Sequence, residues 1–129
     1  MSEVTHYRPK AYEENGLPFA AAVRVGNLLY LSGEIGVKPG TKELVPGGIG
    51  PETRQTMENI KMTVEKYGGS MDKIVKCTVF LADMAEWATM NEVYVTFFKP
   101  DKFPARSAFG TSGLALGARA EIECIAALD

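Results

Sequence analysis

The sequence predicts an α+β sandwich, one sheet with two helices on a single face, and three observations predict it. Apolar residues recur at helical spacing in two stretches and alternate at strand spacing in several others. The elements follow the order hairpin, helix, strand, helix, two strands, which segregates helices to one side of a sheet. At 129 residues the chain reads as one domain spanning 1–129, with no internal repeat, linker or low-complexity tract.

Residues 20–25 and 28–32 are short apolar runs separated by Gly26-Asn27, a two-residue connection in which glycine tolerates the positive φ a hairpin requires. Residues 36–50, with Pro39-Gly40, Pro46-Gly47 and Gly48, lack periodicity and read as a long connection. Gly50-Pro51-Glu52 opens the first helix, with proline where no amide hydrogen is needed and an acid in the positive first turn. Lys66 lies in its last turn and Gly68-Gly69 stops it. Met57, Ile60, Val64 and Tyr67 share one face. The strand over 73–81 places Val75, Cys77, Val79 and Leu81 on one side, and Ile74, Lys76, Thr78 and Phe80 on the other.

Asp83 caps the second helix, with Glu86 reaching back, and Pro100 bounds its far end. Its stripe is Trp87, Met90, Tyr94, Phe97 and Phe98. Asn91 falls inside that stripe and is expected to bridge to backbone, as buried amides find partners. Strands near 106–109 and 119–127 complete the sheet. On the last, Ala120, Ile122, Cys124 and Ala126 point under the helices, while Arg119, Glu121, Glu123 and Ile125 point away. Together with Phe80, that second surface is apolar at its centre and charged at its rim, a pattern that favours burial against other copies.

Composition excludes several classes of function. The chain is 46% hydrophobic and 23% charged, and no apolar run is long enough to cross a bilayer. A net charge of −2, with 14 scattered basic residues, gives no excess with which to neutralise phosphates, so a nucleic-acid partner is not expected. The start Met1-Ser2-Glu3-Val4-Thr5-His6 lacks a basic n-region and an apolar h-region, which predicts a cytoplasmic protein. His6 is the single histidine, in a stretch that reads as a frayed terminus, which argues against a histidine metal site. Cys77 and Cys124 sit in apolar runs and read as reduced core residues.

What remains for chemistry lies in the last quarter. Phe103-Pro104-Ala105-Arg106-Ser107 supplies one arginine, whose planar fork suits a substrate carboxylate. Glu121, in Arg119-Ala120-Glu121-Ile122-Glu123-Cys124-Ile125-Ala126, supplies a handle on water. An arginine close to Glu121 would favour the ionised form of the carboxylate. The plain structural alternative is that the two form an ordinary ion pair.

These segments, together with Leu31-Ser32-Gly33-Glu34-Ile35-Gly36, the 74–83 strand-to-cap segment and Asn91-Glu92-Val93-Tyr94, closely resemble the RidA (YjgF/YER057c/UK114) family of reactive-intermediate deaminases. No one motif is specific, but their order and spacing over residues 18–128 are. The resemblance implies a chorismate-mutase-like α+β domain, a homotrimer whose sheets form a central barrel, and three clefts between neighbouring subunits. It implies hydrolysis of 2-imino acids, released as enamines by pyridoxal-phosphate-dependent dehydratases, to 2-keto acids and ammonia without a cofactor or metal.

Position by position, the family's carboxylate-binding arginine matches Arg106 and its water-activating glutamate matches Glu121. Ser32 and Gly33 match its cleft-lining pair, Asn91 matches its interface asparagine, and Ala108 falls where many members have a cysteine whose backbone carbonyl makes the contact. Phe19 stands where many members have tyrosine, Glu34 replaces a common glutamine, and Leu114-Ala115 replaces Leu-Pro. Thr111 and Ser112, in the Gly110-Thr111-Ser112-Gly113 loop, offer further donors to the cleft. The alternatives are a deaminase for a larger, aminomuconate-like acid and a non-catalytic ligand-binding or chaperone-like trimer. A ribonuclease would want a basic stripe with stacking aromatics, which this sequence does not offer.

Overall fold

Local turn chemistry and strand alternation lead to one mixed sheet in the computed structural model, which describes residues 3–129. Strand β1 (Val4–Tyr7) and the short helix α1 (Lys10–Glu14) precede the hairpin of β2 (Ala22–Val25) and β3 (Leu28–Leu31). Helix α2 (Ile49–Lys66), strand β4 (Ile74–Leu81), helix α3 (Trp87–Tyr94), strand β5 (Ala105–Gly110) and strand β6 (Ala120–Ala127) follow. The sheet order is β1-β2-β3-β6-β4-β5. Only β4 and β5 are parallel, as the crossover through α3 between them allows. Gly26 takes φ 59° at the first position of the hairpin loop, and Val25 pairs with Leu28 across it.

The core lies between one face of this sheet and the two long helices. Met57, Ile60 and Val64 of α2, Met90 and Tyr94 of α3, and Cys77, Val79, Leu81, Ala120, Ile122, Cys124 and Ala126 of the central strands are buried together. The opposite, open face carries Tyr30, Phe80, Phe109, Glu121, Glu123 and Ile125 by the strand registers. Tyr30 is 43% exposed and Phe109 47% exposed there. An apolar surface of that kind on a lone chain marks an interaction site.

The N-terminal segment departs from the sequence reading. It is not frayed: His6 lies in β1, opposite Val23, and Tyr7 stacks on Tyr67 with ring centroids 4.3 Å apart. The pattern in β4 also shifts. A bulge between Ile74 and Lys76 turns Ile74 into the core and leaves Val75 46% exposed, so Val75 does not share a face with Cys77. Cys77 and Cys124 are free and buried as expected, opposite one another with sulfurs 3.1 Å apart.

The predicted second helix is shorter than its stripe. Asp83 does cap, its carboxylate accepting from the Ala85 amide at 2.9 Å, but Glu86 does not reach back. Glu86 instead accepts from Nε of Arg119 at 2.6 Å, because a charged partner outweighs a backbone amide. A 3₁₀ turn at Val95–Phe97 tightens the end of α3, and Phe98 is already extended at φ −128° and ψ 148°, yet 8% exposed. No helix among the described residues is long and apolar enough to cross a membrane.

Candidate active site

Arg106 lies on edge strand β5, in register with Cys77, so its side chain leaves the sheet on the helix face. There α3 presents Trp87, Asn91 and Tyr94 at i, i+4 and i+7, one face of a helix. One terminal nitrogen of Arg106 donates to Oδ1 of Asn91 at 2.5 Å. The guanidinium carbon sits 4.8 Å from the Tyr94 ring centroid and 5.6 Å from that of Trp87. Contacts of this kind contribute about 0.5–1 kcal/mol each. Two of them with the hydrogen bond rival the roughly 2 kcal/mol of rotamer entropy an arginine loses when fixed, so the fork is held before any ligand arrives. Asn91 takes one nitrogen and leaves the other two with hydrogens to donate, enough for a carboxylate. Burial pushes the Tyr94 hydroxyl well above the ordinary phenol range, so it stays neutral under the cation.

Asn91 therefore bridges to a side chain rather than to backbone, which corrects the sequence reading. Ala108, two residues beyond Arg106 on the same side of β5, packs half-buried against the core. Sequence periodicity assigns Trp87 and Tyr94 to the core stripe; Tyr94 is buried there, but Trp87 is 40% exposed and flanks the arginine from outside the core. The signal that both flank it is their spacing around Asn91.

Glu121 belongs to the other face. It pairs with Phe80 in β6, on the open side of the sheet, and its carboxylate lies against Gly33. A Cβ at Gly33 would stand 2.2 Å from Oε2 of Glu121, so only glycine admits the carboxylate there. Ser32 is bound in place beside it: its hydroxyl donates to the Ala20 carbonyl at 2.6 Å and its amide to the Ala21 carbonyl at 3.1 Å. Phe19 adjoins through Ala20. Its ring is 45% exposed and meets Tyr12 edge-on at 5.7 Å, while its carbonyl accepts from Arg8 at 2.8 Å.

Six of the seven predicted residues thus fall into two groups. Gly33 and Glu121, with Ser32 beside Gly33 in the chain, form one, and Arg106, Asn91 and Ala108 the other, on opposite faces of a single sheet, while the Phe19 ring packs on Tyr12. Arg106 and Glu121 are not an ion pair within the chain. Within one chain Arg106 does not act on the Glu121 pKa, which is raised instead. Desolvation is the main cause that raises it, with Glu123 adding like-charge repulsion. Thr111 turns inward, its hydroxyl donating to the Leu81 carbonyl at 3.1 Å and accepting from the Gly113 amide at 3.3 Å, so it ties the loop to β4. Cavities of about 490 and 470 Å³ both lie away from Arg106 and Glu121.

Residues 11–128 match the family model described as Endoribonuclease L-PSP. The chain belongs to this family, the RidA/YjgF group. It is 40% identical over 109 residues to the mouse protein named 2-iminobutanoate/2-iminopropanoate deaminase, a match covering 84% of this chain and 80% of the mouse protein. Among solved structures it is similar to the yeast protein YEO7, with a TM-score of 0.89 and 35% identity over 98% of this chain and all of the yeast chain. It is also similar to RidA from an Antarctic Psychrobacter, with a TM-score of 0.82 and 39% identity over 86% of this chain and 89% of the other.

Proposed function

We propose that the protein hydrolyses 2-imino acids to 2-keto acids and ammonia, in a cleft where Arg106 of one copy of a homotrimer faces Glu121 of the next. The observation that carries this reading is the division of the site: a guanidinium fixed on an edge strand, and a carboxylate on an open apolar face of the same sheet. Packing that face and edge against neighbouring copies buries Tyr30 and Phe109 and lets the halves meet. The names of the deaminase relatives support the same chemistry.

A 2-imino acid carries its carboxylate next to the C=N bond. An arginine that grips both oxygens therefore fixes the electrophilic carbon relative to any water held nearby. Water adds to that carbon as Glu121 takes its proton. Glu121 passes that proton to the nitrogen, giving a carbinolamine; it then takes the proton of the new hydroxyl and delivers it to the amine as the C–N bond breaks, so that ammonia leaves with both protons of the water and a keto group remains. In the separate chain desolvation raises the pKa of Glu121; Arg106 of the neighbouring copy would favour its ionised form, which suits the base that first takes the water proton. The step uses one water and one proton carrier. Ser32 and Gly33 shape the carboxylate side of the cleft, Asn91 positions Arg106, and the Ala108 carbonyl is an acceptor at its wall.

A larger acid is the second reading, favoured by the exposed Phe19 ring, which offers apolar surface where a tyrosine would offer a hydroxyl. The net charge of −2 supports neither a ribonuclease nor another phosphate-tracking role. Ammonia release from 2-iminobutanoate, generated in place by a dehydratase, tests the proposal. Catalysis above the buffer rate is expected; binding of 2-ketobutyrate without any acceleration would identify a binder instead.

A further inference from the structure

A second cavity, partly open to solvent, lies on the helix face and adjoins the Glu121 group through the chain: Glu34 follows Gly33, and Tyr12 packs on Phe19. Helix α1, helix α2 and the loop after Glu34 bound a cavity of about 470 Å³, within the size range of small-molecule sites. Glu34 is pinned at its inner end. Its backbone exchanges two hydrogen bonds with Ile122, at 2.9 and 3.0 Å, which fixes the carboxylate toward α2 rather than toward Glu121 on the open face. Thr63 donates to Oε2 of Glu34 at 2.9 Å. Among the described residues no cation pairs with this partly buried carboxylate. Lys66 lines the same cavity, but its ammonium lies over the Tyr67 ring, 5.5 Å from the centroid.

The walls complete the chemistry. Tyr67, held by its stack on Tyr7, and Tyr12 bring two rings with hydroxyls to the carboxylate end, and Val37 and Met62 are apolar. Aromatic faces around a carboxylate attract a cation, and the aliphatic wall favours one with a hydrocarbon body. Burial raises the pKa of Glu34, and an arriving cation would offset that desolvation. We propose that this cavity binds an organic ammonium, a primary amine on a short apolar chain, with Glu34 as its counter-ion and Tyr12 and Tyr67 as its aromatic walls. The site is separate from the hydrolytic one and does not rest on that reading.

Titrating the ¹⁵N-labelled protein with n-butylammonium at pH 7.5 tests it. Saturable shifts are expected at Tyr12, Glu34, Thr63 and Tyr67, with butyrate producing none there. Glu34→Gln keeps an acceptor for Thr63 but removes the charge, and should weaken binding at least about tenfold, the worth of one charge-assisted contact. Met62→Trp, at an exposed position on the wall, should also weaken it by narrowing the cavity, and gives an independent readout if Glu34→Gln perturbs folding. Lys66→Met should bind as well as wild type or better. Absence of binding at tens of millimolar, equal binding by butyrate, unchanged affinity in Glu34→Gln, or binding seen only in Lys66→Met would each overturn the proposal; the last would assign Lys66 as the partner of Glu34.

Discussion

On the helix face Arg106 is clamped by three side chains of α3, whereas on the open face Glu121 rests against the bare backbone of Gly33. On the proposed mechanism the difference suits what each group would have to do. A carboxylate anchor gains from being rigid before substrate arrives, because ordering it later would subtract from affinity. A proton carrier gains instead from a desolvated setting that lifts its pKa, which the open face provides once water is partly excluded. On the proposed mechanism, one chain therefore holds an anchor and a proton carrier on opposite faces of its sheet.

The largest expected effects separate these two roles. Arg106→Ala should lower turnover of imino acids by about 10²-fold or more, and Arg106→Lys nearly as much, because charge without the fork does not orient the substrate. Glu121→Gln should lower turnover comparably yet keep 2-keto-acid affinity within a few-fold, since the anchor is intact. Ammonia release paired with calorimetric keto-acid binding reads both; equal losses of binding in the two variants would erase the distinction between anchor and carrier.

Gly33→Ala sharpens the open-face side. Gly33 does not have a positive φ, so alanine is tolerated by the backbone, but its methyl displaces the Glu121 carboxylate. A displacement of about 1 Å predicts a loss of turnover on the order of 10²-fold without loss of keto-acid binding. Asn91→Ala sharpens the helix-face side with a smaller effect. Freed of one hydrogen bond, Arg106 should bind substrate more weakly, raising KM about tenfold and leaving kcat within a few-fold. Steady-state kinetics on both variants would break the comparison if the KM and kcat effects were exchanged.

The smallest effect concerns pH and stability. Glu34 has a folded-state pKa above its ordinary value, with desolvation the main cause. Its contribution to stability is full below the ordinary carboxylate range and is lost as pH rises through the raised value. Glu34→Gln should therefore raise Tm at pH 7.5, and the gap should close as pH falls into the ordinary carboxylate range. Melting curves across that range would contradict the assignment if the gap widened toward acid.

Much of the fold is legible in the sequence because it depends on local pattern. The hairpin at Gly26-Asn27, the face of Met57, Ile60 and Val64, and the alternation in β6 follow from spacing and turn chemistry alone. Strand β1 is not legible: four residues carry little periodicity, and Val4–Tyr7 becomes a strand only because β2 offers an edge. The bulge that exposes Val75 depends on its antiparallel partner β6. Glu86 leaves the expected capping role for Arg119, a partner 33 positions away that no local motif announces. In the site, residue types are readable from the resemblance and the face of Glu121 from the alternation in β6, but the face of Arg106 comes from cross-strand register. Within one chain the expected ionising effect of Arg106 on Glu121 is absent for that reason.

The division of the site between copies is tested most directly by mixing two inactive proteins. Arg106→Ala and Glu121→Gln subunits, refolded together from equal amounts, should form mixed trimers in which one cleft of three joins an intact arginine to an intact glutamate. With three-quarters of random trimers mixed, ammonia release should recover to about one quarter of the wild-type rate. If both residues act within a single subunit, the mixture will remain as inactive as its parents although size and composition show mixed trimers, and a site shared between copies will be contradicted.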